Sequence, residues 1–336
     1  MNRADRGSVL VAGGAGYIGS HVSKALAAAG YRPVVLDNLS TGNAAHVVDF
    51  PLIHADIADN GRVASLIREH EIRALLHFAA AIQVEESVRF PLKYYENNVC
   101  RTLQLLRTCS QNGVRTVVFS STAAVYGNPE KLPISEEAPL RPINPYGRSK
   151  VMVEMVLKDM AAALPDFHYA ALRYFNVAGA DRGGRIGQCY PQATHLITLA
   201  LRAALGLRPE LAVFGTDYPT TDGTAVRDYI DIEDIAAVHV HALDALLERP
   251  GNLVMNCGYG HGFSVNEVVR TVKQVTGVDF PVRKAGRRQG DPPVLVADSS
   301  RARKELNWSP LHDNLEKIVR AAWAWEQKLH SGKAKK

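Results

Sequence analysis

The chain has 336 residues, 46% of them apolar and 22% charged, which is enough to build one larger and one smaller lobe around a full core. Its +5 formal charge is dispersed apart from Arg287-Arg288 and the tail ending at Lys336, read as a solvated end, so no nucleic-acid-binding stripe is expected. No apolar run approaches the ~20 residues of a membrane span and no apolar signal region opens the chain, so a cytoplasmic protein is expected.

In chain order, residues 8–12 form a short apolar strand that runs into Gly-Gly-Ala-Gly-Tyr-Ile-Gly. Gly13, Gly16 and Gly19 are spaced three apart, and an alanine-rich helix follows over 21–29. A second strand over 33–36 ends at Asp37, 18 residues beyond Gly19. Glycines let backbone approach a pyrophosphate, the helix N-terminus attracts it, and the acid grips the adenosine ribose. These parts in register point to a dinucleotide, and the carboxylate of Asp37 would repel a 2′-phosphate, so NAD is expected rather than NADP. A third strand over 52–56 puts Asp56 and Ile57 where an adenine would lie. A helix follows over 60–70, then a buried strand over 74–80 whose Phe78, Ala79 and Ala80 allow close contact with a cofactor. His77 reads as a core histidine. One long helix is expected over 91–112, carrying Asn97. The alternation of strands and helices to Phe119 predicts an α/β protein with a doubly wound parallel sheet of Rossmann type.

The strand over 116–119 leads into Ser-Ser-Thr-Ala-Ala, and Pro145 opens a helix with Tyr146 and Lys150 one turn apart on one face. An ammonium beside a phenol favours the phenolate, lowering a pKa that is ordinarily ~10. Such a tyrosine takes a proton from a sugar or alcohol hydroxyl, with Thr122 as a bridging third member. By itself Tyr-x-x-x-Lys is also what chance leaves on many solvated helices; the glycine loop upstream favours the chemical reading. Beyond a strand over 169–175, which ends at Phe175 and Asn176, residues 180–192 read as a loop or lid. A helix over 195–206, a strand over 211–214, a helix over 235–247, a strand over 253–256 and a helix capped by Ser264 follow. Helices over 301–306 and 315–329 close the chain. The expected division is 1–176 for the dinucleotide, with a returning segment at about 226–250, and 177–336 as a smaller α/β substrate-binding lobe. Cys100, Cys109, Cys189 and Cys257 form no Cys-x-x-Cys pair, so packed thiols and no metal site are expected.

With the glycine loop, the Phe119–Gly127 segment and the Tyr146/Lys150 pair together, the chain resembles the extended short-chain dehydrogenase/reductase family, and within it the UDP-glucose 4-epimerases. Further resembling stretches are Leu-Asp-Asn-Leu-Ser-Thr-Gly at 36–42, Asn-Pro-Tyr-Gly-Arg-Ser-Lys at 144–150, the block over 214–230 and Arg-Arg-Gln-Gly-Asp at 287–291. The resemblance implies a homodimer through the helices over 91–112 and 146–163, with Met152, Met155, Val156 and Met160 as an apolar stripe that core packing explains equally well. It implies that Tyr17, Ile18, Asp37, Asn38, Asp56, Ile57, Phe78 and Asn97 touch NAD and that Thr122, Tyr146 and Lys150 are catalytic. It also implies that Asn176, His195, Leu196, Phe214, Arg227, Arg288, Asp291 and Leu295 meet a UDP-sugar.

Some positions depart from the family pattern. Ile82 stands where a lysine is common, and Arg101 replaces a glycine. Leu295 replaces a bulky tyrosine that narrows the sugar pocket in some members, so UDP-N-acetyl sugars are expected to be admitted as well; UDP-pentoses remain open. Dehydratases of this superfamily carry an acid pair after the triad threonine. Here those positions are Ala123 and Ala124, which favours hydride return over elimination. A non-catalytic NAD-binding regulator would be expected to lose Tyr146 or Lys150, and both are present.

Overall fold

The structure, a computed structural model, describes residues 5–288 and 291–331, so Gln289 and Gly290 of the arginine loop and the Lys333–Lys336 tail lie outside the described residues. The chain begins with β1 (Ser8–Ala12), α1 (Tyr17–Ala28), β2 (Arg32–Asp37), β3 (Leu52–His54), α2 (Asn60–Glu69) and β4 (Ile72–His77). It continues through α3 (Val84–Arg89), α4 (Pro91–Tyr95), α5 (Arg101–Gln111), β5 (Thr116–Thr122), α6 (Pro145–Ala163) and β6 (His168–Tyr174). The next elements are β7 (Asn176–Ala178), α7 (Leu196–Ala204), β8 (Leu211–Phe214), β9 (Val226–Arg227), β10 (Tyr229–Asp231), α8 (Ile232–Glu248) and β11 (Asn252–Cys257). The last are β12 (Phe263–Ser264), α9 (Val265–Thr276), β13 (Val282–Ala285), β14 (Val294–Leu295), α10 (Ser300–Glu305) and α11 (Leu315–His330).

Seven strands form one parallel sheet in the order β11-β6-β5-β4-β1-β2-β3. Because successive side chains point to opposite faces, β1 sends Val9 and Val11 into one core and Leu10 and Ala12 into the other. The first core holds Val22 and Leu26 of α1 against Ile235, Val238 and Leu246 of α8; the second holds Leu66 of α2, Leu105 of α5 and Leu157 of α6. Burying each such side chain stabilises the fold by about 1.5–3 kcal/mol. Strand order reverses at β1, between β4 and β2, which is where doubly wound sheets open a crevice at their carboxyl ends.

α8 packs on α1 and feeds β11, so the late segment that rejoins the sheet reaches Cys257, beyond the expected limit near 250. Past β6 the remaining strands pair in short sheets, β10-β7, β12-β9-β14 and β13-β8. The helix expected without interruption over 91–112 is broken by a π turn at Glu96–Cys100. Ser264 accepts from the Glu267 amide while Glu267 accepts from the Ser264 amide, a reciprocal cap that fixes the start of α9. No helix of the described residues is long and apolar enough to cross a membrane.

Candidate active site

The carboxyl ends of β1, β2, β4 and β5 surround a cavity of about 280 Å³. Its floor is the turn after β1. Gly13 has φ +80° and packs so close that a Cβ would lie 2.5 Å from the Ala79 amide nitrogen. A Cβ on Gly19 would strike the Gly13 carbonyl. Only glycine leaves this cradle open. Gly16 precedes α1 without a capping side chain and the first turn holds no acid, so its amides are left for an anion. At the end of β2, Asp37 accepts from the amides of Ala15 (2.9 Å) and Leu39 (2.8 Å). Burial raises this carboxyl above its ordinary range, and the Leu39 and Ala15 amides pull it back. A carboxylate so held keeps lone pairs for two ribose hydroxyls. The cradle, the bare helix start and the oriented acid together fit a dinucleotide.

Tyr17, Ile18, Asn38, Asp56, Ile57, Phe78, Ala79, Ala80, Asn97 and Phe175 line the same cavity, as do Thr122, Tyr146, Lys150, Asn176 and His195. Leu196 lies in a small adjoining cavity of about 30 Å³ that shares Tyr17, Asn176 and His195. Phe214, Arg227, Arg288, Asp291 and Leu295 do not line either cavity; they gather in the smaller lobe. There Arg227, 8% exposed, pairs with Asp291 and donates to the Pro292 carbonyl (2.8 Å). The Arg288 guanidinium stacks 4.0 Å from the Phe214 ring centroid. Leu295 sits in register with Arg227 across β14 and β9, and packs on the Val125, Tyr126 and Ile134 cluster.

Thr122, Tyr146 and Lys150 stand together where β5 meets α6. Asn144 caps α6 by accepting from the Gly147 amide (2.8 Å), which aims the first turn, and with it Tyr146, at the end of β5. The Thr122 hydroxyl accepts from the Ala124 amide (3.2 Å) and lies beside the Tyr146 phenol. Lys150 donates to the Ser120 carbonyl (2.8 Å) and lies over the Phe119 ring at 4.8 Å. The expected acidification of Tyr146 by its neighbour is not what this geometry produces. Burial pushes the phenol up to about 12, with only the Thr122 hydroxyl opposing it, and burial also pulls Lys150 down to about 7, against the attraction of Glu154. Desolvation outweighs pair attraction because Lys150 is buried, Tyr146 is half-buried in the cavity wall, and the ammonium is spent on a carbonyl and a ring.

Residues not anticipated from the sequence also line the cavity. Ser40, Thr41 and Gly42 come from the loop after β2, Gln188 and Tyr190 from the 180–192 loop, and Tyr174 and Val177 from the end of β6 and from β7. Tyr190 reaches over the glycine turn, where a Cβ on Gly16 would lie 3.9 Å from its hydroxyl. Composition marked that loop as a lid, but nothing in it named Tyr190. Arg101 stood out only as a departure from the family pattern. Among the described residues, no group of three or more His, Cys, Asp or Glu side chains is placed to hold a metal.

Residues 9–258 match the model of the NAD dependent epimerase/dehydratase family. A UDP-glucose 4-epimerase of Azospirillum brasilense is 53% identical over 322 residues, covering 96% of this chain and 92% of its own. Among solved structures, a UDP-glucose-4-epimerase from Stenotrophomonas maltophila with bound NAD and formylated UDP-arabinopyranose superposes with a TM-score of 0.94 at 41% identity, covering 97% of this chain and 99% of that one. A UDP-Glc/GlcNAc 4-epimerase from Campylobacter jejuni gives 0.84 at 48% identity, with 96% and 99% covered.

Proposed function

The chain belongs to the NAD dependent epimerase/dehydratase family, and from that membership we propose that it interconverts UDP-glucose and UDP-galactose by inverting carbon 4 of the sugar. The carrying observation is that one cavity joins the glycine cradle and Asp37 to Thr122, Tyr146 and Lys150. NAD bound there supplies a reversible two-electron acceptor and, when oxidised, a positive charge near the phenol. Tyr146 removes the proton of the 4-hydroxyl, and Thr122 bridges substrate and phenol. Lys150, anchored to the Ser120 carbonyl, holds positive charge behind the tyrosine. Arg227 and Arg288 grip the diphosphate as fixed guanidinium forks, with Asp291 locking the first and Phe214 backing the second. The nucleotide is thus clamped while the 4-keto sugar is left free to turn; the hydride taken from carbon 4 returns from bound NAD to its opposite face, and Tyr146 gives the proton back to the 4-oxygen. Ala123 and Ala124 offer no group to expel water, so elimination does not compete.

Incubating the purified protein with UDP-galactose and reading carbon-4 stereochemistry by NMR should show conversion to UDP-glucose. Recovery of unchanged substrate, or of a 4-keto-6-deoxy product, overturns the reading.

Leu295 favours a wider substrate range. It lies beside Arg227 at the nucleotide grip, and its side chain is smaller than a tyrosine. UDP-GlcNAc and UDP-GalNAc are therefore substrates too, and absence of their interconversion refutes this. Residues 1–176, with the late return of α8 and β11, serve as the NAD unit, and the rest holds the UDP-sugar. Two copies pair through the helices over 91–112 and 146–163, where Leu92 and Met155 are more than half exposed, as are Val88 and Phe90 just before the first of them. Val156 and Met160 of the second helix pack instead on the core, so only Met152 and Met155 of the stripe face outward. Light scattering that gives a monomer mass at micromolar concentration refutes the pairing. The protein works in the cytoplasm, where UDP-sugars are handled; fractionation of cells checks this.

A further inference from the structure

The π turn at Glu96–Cys100 inserts one extra residue into a helix, which rotates everything after it by roughly 100°. Thr102, Leu105 and Leu106 of α5 then face the core, and Arg101 faces the cofactor cavity. Its Nη1 bonds Asp56, whose carboxylate also accepts from Asn38 Nδ2 (3.0 Å) and the Ala58 amide (2.9 Å). Arg101 is thereby tied to the segments that follow β2 and β3, the adenosine end of a doubly wound sheet. The Asp56 bond uses one of five N–H donors, and the remaining donors meet no protein acceptor among the described residues. Among the described residues lining the cavity, the cations are Arg101 and Lys150, and Lys150 stands at the opposite, catalytic end; the acids are Asp37 and Asp56. A half-buried guanidinium with spare donors, fixed in direction by a carboxylate, is built to meet an acceptor-rich, anionic group.

We propose that Arg101 holds the adenosine-phosphate half of the dinucleotide and slows its release. The site takes an adenine nucleotide, and the ion pair with Asp56 keeps the guanidinium over it. Ile82, which also lines the cavity, brings no charge. The inference rests on the reading of the cavity as an NAD site.

The test strips the protein of nucleotide and measures binding of NAD, ADP-ribose, AMP and nicotinamide mononucleotide by calorimetry, for wild type, Arg101→Met and Arg101→Lys. Arg101→Met should weaken NAD, ADP-ribose and AMP by roughly tenfold, and speed NAD release to match, since one charge-assisted contact is lost. Nicotinamide mononucleotide should bind as before, Arg101→Lys should recover part of the loss, and the salt dependence of NAD binding should flatten in Arg101→Met. Thermal melting of the stripped variants separates a folding defect from a contact. Arg101→Met that is folded and binds AMP and NAD like wild type overturns the proposal, as does an equal loss for nicotinamide mononucleotide. Wild type that binds no NAD would instead sink the cofactor reading itself.

Discussion

Lys150 is buried and Tyr146 half-buried in the cavity wall, and each is pushed towards its neutral form. The pair is thus poised by burial rather than by mutual attraction, and the charge that makes a phenolate must arrive with the ligands. Tyr146→Phe keeps the ring and its packing but removes the proton carrier. Turnover should fall about 10²–10⁴-fold with NAD content unchanged, read by nucleotide extraction. Lys150 has a folded pKa of about 7, well below its unfolded value near ~10.4. Between these the unfolded chain binds a proton that the folded one refuses, so stability rises with pH across that window and the full penalty is present below pH 7. Lys150→Met should therefore abolish turnover yet raise the melting temperature of the cofactor-stripped protein at pH 7, by a margin that shrinks towards pH 10. A variant less stable than wild type at pH 7 contradicts this. At this scale the sequence is legible where partners are local, as with Gly13 and Gly19 or Tyr146 and Lys150. Arg227 with Asp291, and Arg101 with Asp56, are pairs separated by dozens of residues; no spacing rule brings them together, and only the folded chain reveals them.

Three successive residues at the end of β5 engage three successive turns of α6. Thr122 lies beside Tyr146, the Ser120 carbonyl accepts from Lys150, and Ser121 donates to Glu154. Behind them Arg173 of β6 grips Glu154 with Nη2 (2.6 Å) and donates to the Tyr126 hydroxyl (2.9 Å). Removing the charge of Glu154 leaves Arg173, 4% exposed, unpaired. Glu154→Gln should destabilise the protein by about 3–5 kcal/mol in urea unfolding; a loss under 1 kcal/mol would show the network to be dispensable. The seat of α6 is equally tight, because a Cβ on Gly147 would lie 2.6 Å from the Ala124 carbonyl. Gly147→Ala should lift the first turn and cut kcat at least about tenfold, as small misplacements do, while circular dichroism stays native. Parallel strands such as β1 and β5 were visible as apolar runs because both faces are buried. The π turn was not, since one inserted residue leaves an amphipathic pattern readable as a single helix. Two-residue strands such as β9, β12 and β14 carry no period at all.

At the scale of the whole molecule, three buried histidines are held neutral. Burial pulls His21 down to about 4, His77 to about 3 and His239 to about 4. Each has a ring nitrogen without a hydrogen-bond partner, His21 Nε2, His77 Nδ1 and His239 Nε2. Unfolded histidine titrates near ~6.5, so below that pH the unfolded chain takes up protons that the native fold does not. These three alone should lower stability by about 4 kcal/mol per pH unit around pH 5, a slope that nearly vanishes above pH 7. Urea titrations at pH 7, 6 and 5 read this, and His239→Gln should remove about a third of the slope. Equal stability at pH 7 and 5 would contradict it. The overall plan was readable because strand and helix alternate up to Phe119, but the return of α8 and β11 was placed short of its true end. Nothing in a short apolar run says which sheet it will join.

Because β11 comes from position 252 onward yet pairs with β6, the parallel sheet is unfinished for most of the time the ribosome is making this chain. Until about residue 257 has emerged, β6 shows a bare hydrogen-bonding edge and α1 shows the apolar flank that α8 will cover. A fragment ending at 176 is therefore a sticky intermediate rather than an autonomous nucleotide-binding module, and expressing it alone should yield aggregates that coexpression of residues 226–257 relieves.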